Sequence, residues 1–105
     1  MGQGMSATIE SQGDIEILCQ SLNELAPNKM ARLIFRTYAD ASPPWQVRVR
    51  SPSGQIILER VMRELPTGEP QSPPPVTFSV QKGTYEIFVA QLKGAAEGSA
   101  TIKVA

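Results

Sequence analysis

The chain contains no histidine and only one cysteine, Cys19. The first absence removes Ser-His-Asp and Cys-His catalysis and every imidazole metal site. The second removes any intrachain disulfide; a lone thiol fits a reducing compartment or a domain cut from a larger protein. Net charge is lacking too, since ten basic side chains balance ten acidic ones. No global field therefore draws the molecule to nucleic acid or to an anionic membrane. Aromatics are scarce, with one tryptophan, two tyrosines and three phenylalanines. After the core has taken its share, little remains for the stacking platform that single-stranded nucleic acid needs. No run approaches the ~20 apolar residues of a membrane-spanning helix, so membrane insertion is not expected. The opening MGQGMSATIE lacks the basic and apolar regions of a secretory signal. The expected location is cytoplasmic for a whole protein, and extracellular or periplasmic for a domain of a longer exported one. Finally, no GxGxxG or GxxxxGK[ST] pattern signals a phosphate-cradling loop.

What the chain has in quantity is two-residue alternation in short runs, the mark of half-buried strands. DIEILCQ from Asp14 sets Ile15, Ile17 and Cys19 on one face, with Cys19 as a small buried hydrophobe. KMARLIFRTY opposes Leu33, Phe35 and Thr37 to Arg32, Ile34 and Arg36. WQVRVR is cleanest, with Trp45, Val47 and Val49 against Gln46, Arg48 and Arg50. VTFSVQ points Val76, Phe78 and Val80 inward, and TYEIFVAQL does so for Tyr85, Ile87 and Val89, leaving Phe88 outward or sideways. SATIKVA closes with Ile102 and Val104 inward. QIILERVMREL is ambiguous: Ile56, Leu58 and Arg60 suit a strand, while LERVMREL also suits a helical turn or two. The SPSG turn before it favours the strand.

Turn residues separate these runs. Pro52 presets the second position of SPSG, and Gly54 is free to take positive φ. ASPPW stops any helix, because each proline restricts the residue before it. SLNELAPNK, residues 21–29, has room for one helical turn. The proline-rich ELPTGEPQSPPP, residues 64–75, reads as a stiff crossover between two sheets; the alternative is a polyproline segment read by a partner. At 105 residues the length fits one domain. The expected fold is all-β, an antiparallel β-sandwich of jelly-roll or Ig-like type with seven or eight strands. Residues 1–13 form an N-terminal tail or edge strand, and 14–105 the sandwich.

Charge is unevenly spread. Residues 29–63 hold Lys29, Arg32, Arg36, Arg48, Arg50, Arg60 and Arg63 against Asp40 and Glu59, while residues 1–28 carry only the acids Glu10, Asp14, Glu16 and Glu24. If the strands at 30–38 and 45–50 pair, Arg32, Arg36, Arg48 and Arg50 share one outward face. Such a face fits an acidic protein surface or a phosphate backbone, or simply keeps a sheet soluble. Trp45 after two prolines reads as core or rim packing; exposed, it would anchor a partner. The candidate partner-binding residues are therefore Arg32, Arg36, Arg48, Arg50 and Trp45. No cofactor is called for. A calcium site would need Glu10, Asp14 and Glu16 to converge on one loop, and a solvated acidic edge is the simpler reading.

From about residue 29 onward the order of elements resembles bacterial prepeptidase C-terminal (PPC) domains. The carriers are WQVRVRSPSGQII, then VTFSVQKGTYEIFVAQ, then GSATIKVA. The resemblance implies a jelly-roll-like sandwich appended to an enzyme as a noncatalytic accessory module. The Asp-rich segment that often precedes the family's middle strand is here ASPPWQV, with no acidic pair.

Two functional expectations follow. The first is a nonenzymatic module acting in protein–protein contact or assembly. The alternative is a small carbohydrate- or ligand-binding module that stacks its ligand on Trp45, Tyr38 or Tyr85. A protein partner is favoured over nucleic acid, and oligomeric state is left open.

Overall fold

The computed structural model describes residues 7–20, 29–37 and 42–105. Among these residues the eight strands are β1 (Ala7–Gly13), β2 (Ile15–Gln20), β3 (Lys29–Thr37), β4 (Trp45–Arg50), β5 (Ile56–Met62), β6 (Val76–Val80), β7 (Gly83–Gln91) and β8 (Glu97–Val104). A five-stranded sheet runs β1-β8-β7-β4-β5, and a three-stranded sheet runs β2-β3-β6. Every pairing is antiparallel. The two sheets face each other as a β-sandwich. Among the described residues no helix is long and apolar enough to cross a membrane.

Alternation builds the core. Ile15, Ile17, Ala31, Leu33, Phe35, Val76, Phe78 and Val80 line the smaller sheet. Trp45, Val47, Val49, Tyr85, Ile87, Val89, Ala100, Ile102 and Val104 line the larger one. Each fully buried aliphatic or phenyl side chain contributes roughly 1.5–3 kcal/mol. In β3 the inward set is Ala31, Leu33 and Phe35; Thr37, at the strand end, is exposed. Phe88 points outward and is 37% exposed.

The sheet changes are made by residues suited to them. At Gly13 the backbone takes φ +103°, and a Cβ there would meet the Glu97 carbonyl oxygen. Asp14 N–H then donates to Glu97 O at 2.8 Å, and the chain turns from β1 into β2. The 64–75 stretch is a crossover, carrying the chain from β5 in one sheet to β6 in the other. Its Leu65 is buried in the core. Phe35 N–H donates to Pro66 O at 2.8 Å, satisfying β3 just past the end of its ladder with β6. Gly54 takes φ +91° in the SPSG turn and donates to Ser51 O at 2.9 Å. The start of β7 is tied by the buried Tyr85, whose hydroxyl accepts from Gln81 N–H at 2.8 Å. The helical turn expected at 21–29 falls almost wholly outside the described residues, as does Tyr38.

β5 departs from simple alternation. Val49 pairs with Leu58 but Arg50 pairs with Ile56, so Ile57 is an extra residue in a bulge. Ile56 therefore opposes the outward Arg50 rather than sharing a face with Leu58 and Arg60.

Candidate functional site

The four arginines do not form one face. β3 pairs with β2 and β6, and β4 pairs with β5 and β7, so β3 and β4 lie in different sheets. Arg32 and Arg36 stand on the outer side of the small sheet, Arg48 and Arg50 on the outer side of the large one, with the core between. The expected common patch depended on β3 pairing with β4. Both sides of β4 are taken along its whole length by β5 and β7, which leaves no edge for β3.

Three of these arginines also meet a carboxylate. Arg48 Nε donates to Glu59 Oε2 at 2.8 Å, and Arg48 Nη2 reaches Gln46 Oε1 at 3.3 Å. Arg50 Nη1 lies 3.9 Å from Glu86 Oε1, and its guanidinium sits 5.9 Å from the centre of the Phe88 ring. Arg36 Nη1 lies 4.0 Å from Glu16 Oε1. All three arginine–glutamate pairs are cross-strand neighbours in register. Exposed pairs of this kind contribute only ~0–1 kcal/mol of stability, but they cancel the field a partner would sense. The outer faces are mixed in charge rather than basic.

The other candidates are placed as follows. Trp45 is 7% exposed and packs in the core, so it presents no anchor to a partner. Tyr85 is buried as well. Neither supplies the stacking surface of the ligand-binding alternative, because both sit at inward positions of their strands. Cys19 is half-buried; burial pushes its thiol up, against a backbone hydrogen bond involving Arg32 that lowers it. A protonated, shielded thiol is a poor nucleophile. Glu10 on β1 pairs with Thr101 of β8, Asp14 holds the β1–β2 corner, and Glu16 on β2 opposes Arg36 of β3. Among the described residues no group of three or more such side chains is placed to hold a metal ion.

Two features lay outside the candidate set. The first is β5, an outer strand of the large sheet with one side unpaired among the described residues. Ile56, Ile57 and Val61 are 48%, 45% and 58% exposed. Their signal was visible in QIILERVMREL, where apolar residues fall on both parities and so cannot all be buried by one layer. The second is an open groove of about 480 Å3 on the outer side of the large sheet, lined by Gln12, Phe88, Ala90, Glu97 and Ser99 with two glycines. Gln12, Ser99 and Phe88 stand in one cross-strand row. Comparison with known protein families, with curated proteins and with solved structures found no match. The functional reading therefore rests on this surface.

Proposed function

We propose that this chain is a noncatalytic β-sandwich module that acts by protein–protein contact through the β5 side of its larger sheet. One observation carries the reading: three large aliphatic side chains stand in solvent on a strand whose outer backbone edge is unpaired among the described residues. Exposed apolar surface joined to open hydrogen-bonding groups is the common form of a protein-docking site. The chain's lack of histidine and its shielded Cys19 support the noncatalytic part. The likeness of its strand and turn motifs to prepeptidase C-terminal domains points to an accessory module too.

A photo-crosslinking amino acid at Val61, introduced in the native host, tests this. The expected result is a discrete protein adduct that excess unmodified chain competes away. Crosslinking at Thr8, on the opposite edge, gives no such adduct. An equal and uncompetable smear from both positions would remove the reading.

The groove at Phe88 favours a second reading, a small neutral hydroxylated ligand lying on the ring with Gln12, Ser99 and Glu97 offering hydrogen bonds. Titration with simple oligosaccharides, followed by amide shifts of Gln12, Phe88 and Ser99, decides it. Unmoved shifts at millimolar sugar would dismiss that ligand class.

A further inference from the structure

We propose that β5 takes an acidic, extended segment of a different protein as a sixth strand of the larger sheet, with a carboxylate opposite Arg60. This deepens the protein-contact reading and rests on it.

The charge along β5 argues for such a partner. Glu59 is already engaged by Arg48 at 2.8 Å. Arg60 and Arg63 are exposed, and among the described residues neither has a carboxylate within 4.0 Å. Arg63 and the exposed Glu64 follow the strand end as neighbours of opposite charge, so the free charge within β5 itself is Arg60. Arg60 is paired with the inward Val47, so it occupies the inner side of the sheet, flanked by the half-buried Leu58 and Met62. A strand that places an acid opposite Arg60 and aliphatic residues two positions before and after it would pair charge with charge and cover Leu58 and Met62.

The same residues argue against a symmetric pair of copies. In an antiparallel seam, residues directly opposite share a face. A two-fold axis normal to the sheet preserves faces, so it must pass through a residue facing its own copy. An axis at Glu59 sets carboxylate against carboxylate. An axis at Arg60 sets guanidinium against guanidinium. Like charges directly opposite destabilise a ladder. An axis at Leu58 runs the seam through the Ile57 bulge, where the ladder is broken. An axis at Val61 or Met62 avoids like charges but leaves at most three residues of β5 in the seam. An inward charge and a bulge are known guards of an exposed edge. Here they leave only a short seam for self-pairing, while an acidic strand turns the guarding arginine into a contact.

The test uses two capped peptides that alternate threonine with a valine–glutamate–valine or a valine–lysine–valine series on one face. With the whole chain, the glutamate peptide is expected to shift the amide resonances of Ile56–Met62 and to bind about tenfold more tightly than the lysine peptide, the difference between facing opposite and like charges. Arg60→Glu should reverse that order; the site is exposed, so the variant keeps its core. The proposal is overturned if neither peptide moves β5, if both bind equally to wild type and variant, or if dilution of wild type alone shifts the β5 amides, which would mean self-pairing. Peptide failure alongside a competable Val61 crosslink would leave the protein-contact reading standing and remove only the acidic strand.

Discussion

Gly98 and Gly54 show two different reasons for a missing side chain. Gly98 is an inward position of β8, and a Cβ there would run into the Ile15 carbonyl group at the start of β2. The two sheets meet at that point, so neither backbone has room to retreat. Gly98→Ala should cost about 3 kcal/mol, at the upper end of overpacking penalties. Gly54 has open space around it and needs only its φ of +91°. Gly54→Ala should cost about 1 kcal/mol, and Gly54→Asn less, because Asn tolerates that region. Urea unfolding of the three variants separates the causes; equal losses at both sites would refute the steric account of Gly98. The lone thiol gives a pH dependence of definite sign. Burial raises the Cys19 pKa in the folded state, so the unfolded chain ionises first as pH rises. Stability attributable to the thiol is whole below the unfolded value of about 8.5 and declines above it. The unfolding midpoint of wild type should therefore fall relative to Cys19→Ala from about pH 8.5 upward. Parallel curves for the two proteins would show that the thiol is no more buried than in the unfolded chain.

At the scale of the element, legibility followed burial. β4, β6, β7 and β8 each bury one side, so their inward residues could be read from spacing alone. β5 buries neither side fully, and its two-sided apolar sequence gave no parity to read. The bulge at Ile57 then removed what period remained. The 64–75 crossover was legible from its prolines, but its anchor was not. Leu65 is an isolated apolar residue in a polar loop, and only the fold shows that it enters the core beside Pro66, whose carbonyl accepts from Phe35 N–H. Leu65→Ala is expected to cost about 2–4 kcal/mol, as for a strand residue rather than a loop residue. Neighbouring Thr67→Ala, exposed, should cost under ~0.5 kcal/mol. Thermal or urea denaturation measures both. A Leu65 variant as stable as wild type would mean the crossover is not part of the core.

At the scale of the molecule, what spacing could not give was partnership between strands. β1 pairs with β8, joining the two ends of the described chain, and no local pattern specifies so distant a contact. The shared arginine face was conditional on such a partnership, since a face exists only once the pairing is known. The fold also redistributes charge. The excess of basic residues in 29–63 is set against acids from elsewhere: Arg36 meets Glu16 from the acidic N-terminal stretch, and Arg50 meets Glu86 from β7. Arg48 meets Glu59 within the basic stretch itself. A polyanion approaching the large sheet therefore encounters paired charges, and the gain from counterion release is small. Wild type should pass through heparin resin without retention at about 0.15 M salt, where screening reaches ~8 Å. Replacing Glu59 and Glu86 together by Gln removes both neutralising partners while leaving the arginines in place. That variant should be retained, and its elution should move earlier as salt is raised. Strong retention of wild type, abolished by Arg48→Glu with Arg50→Glu, would instead show that the pairs open readily and that the outer face of the large sheet is basic to a partner after all.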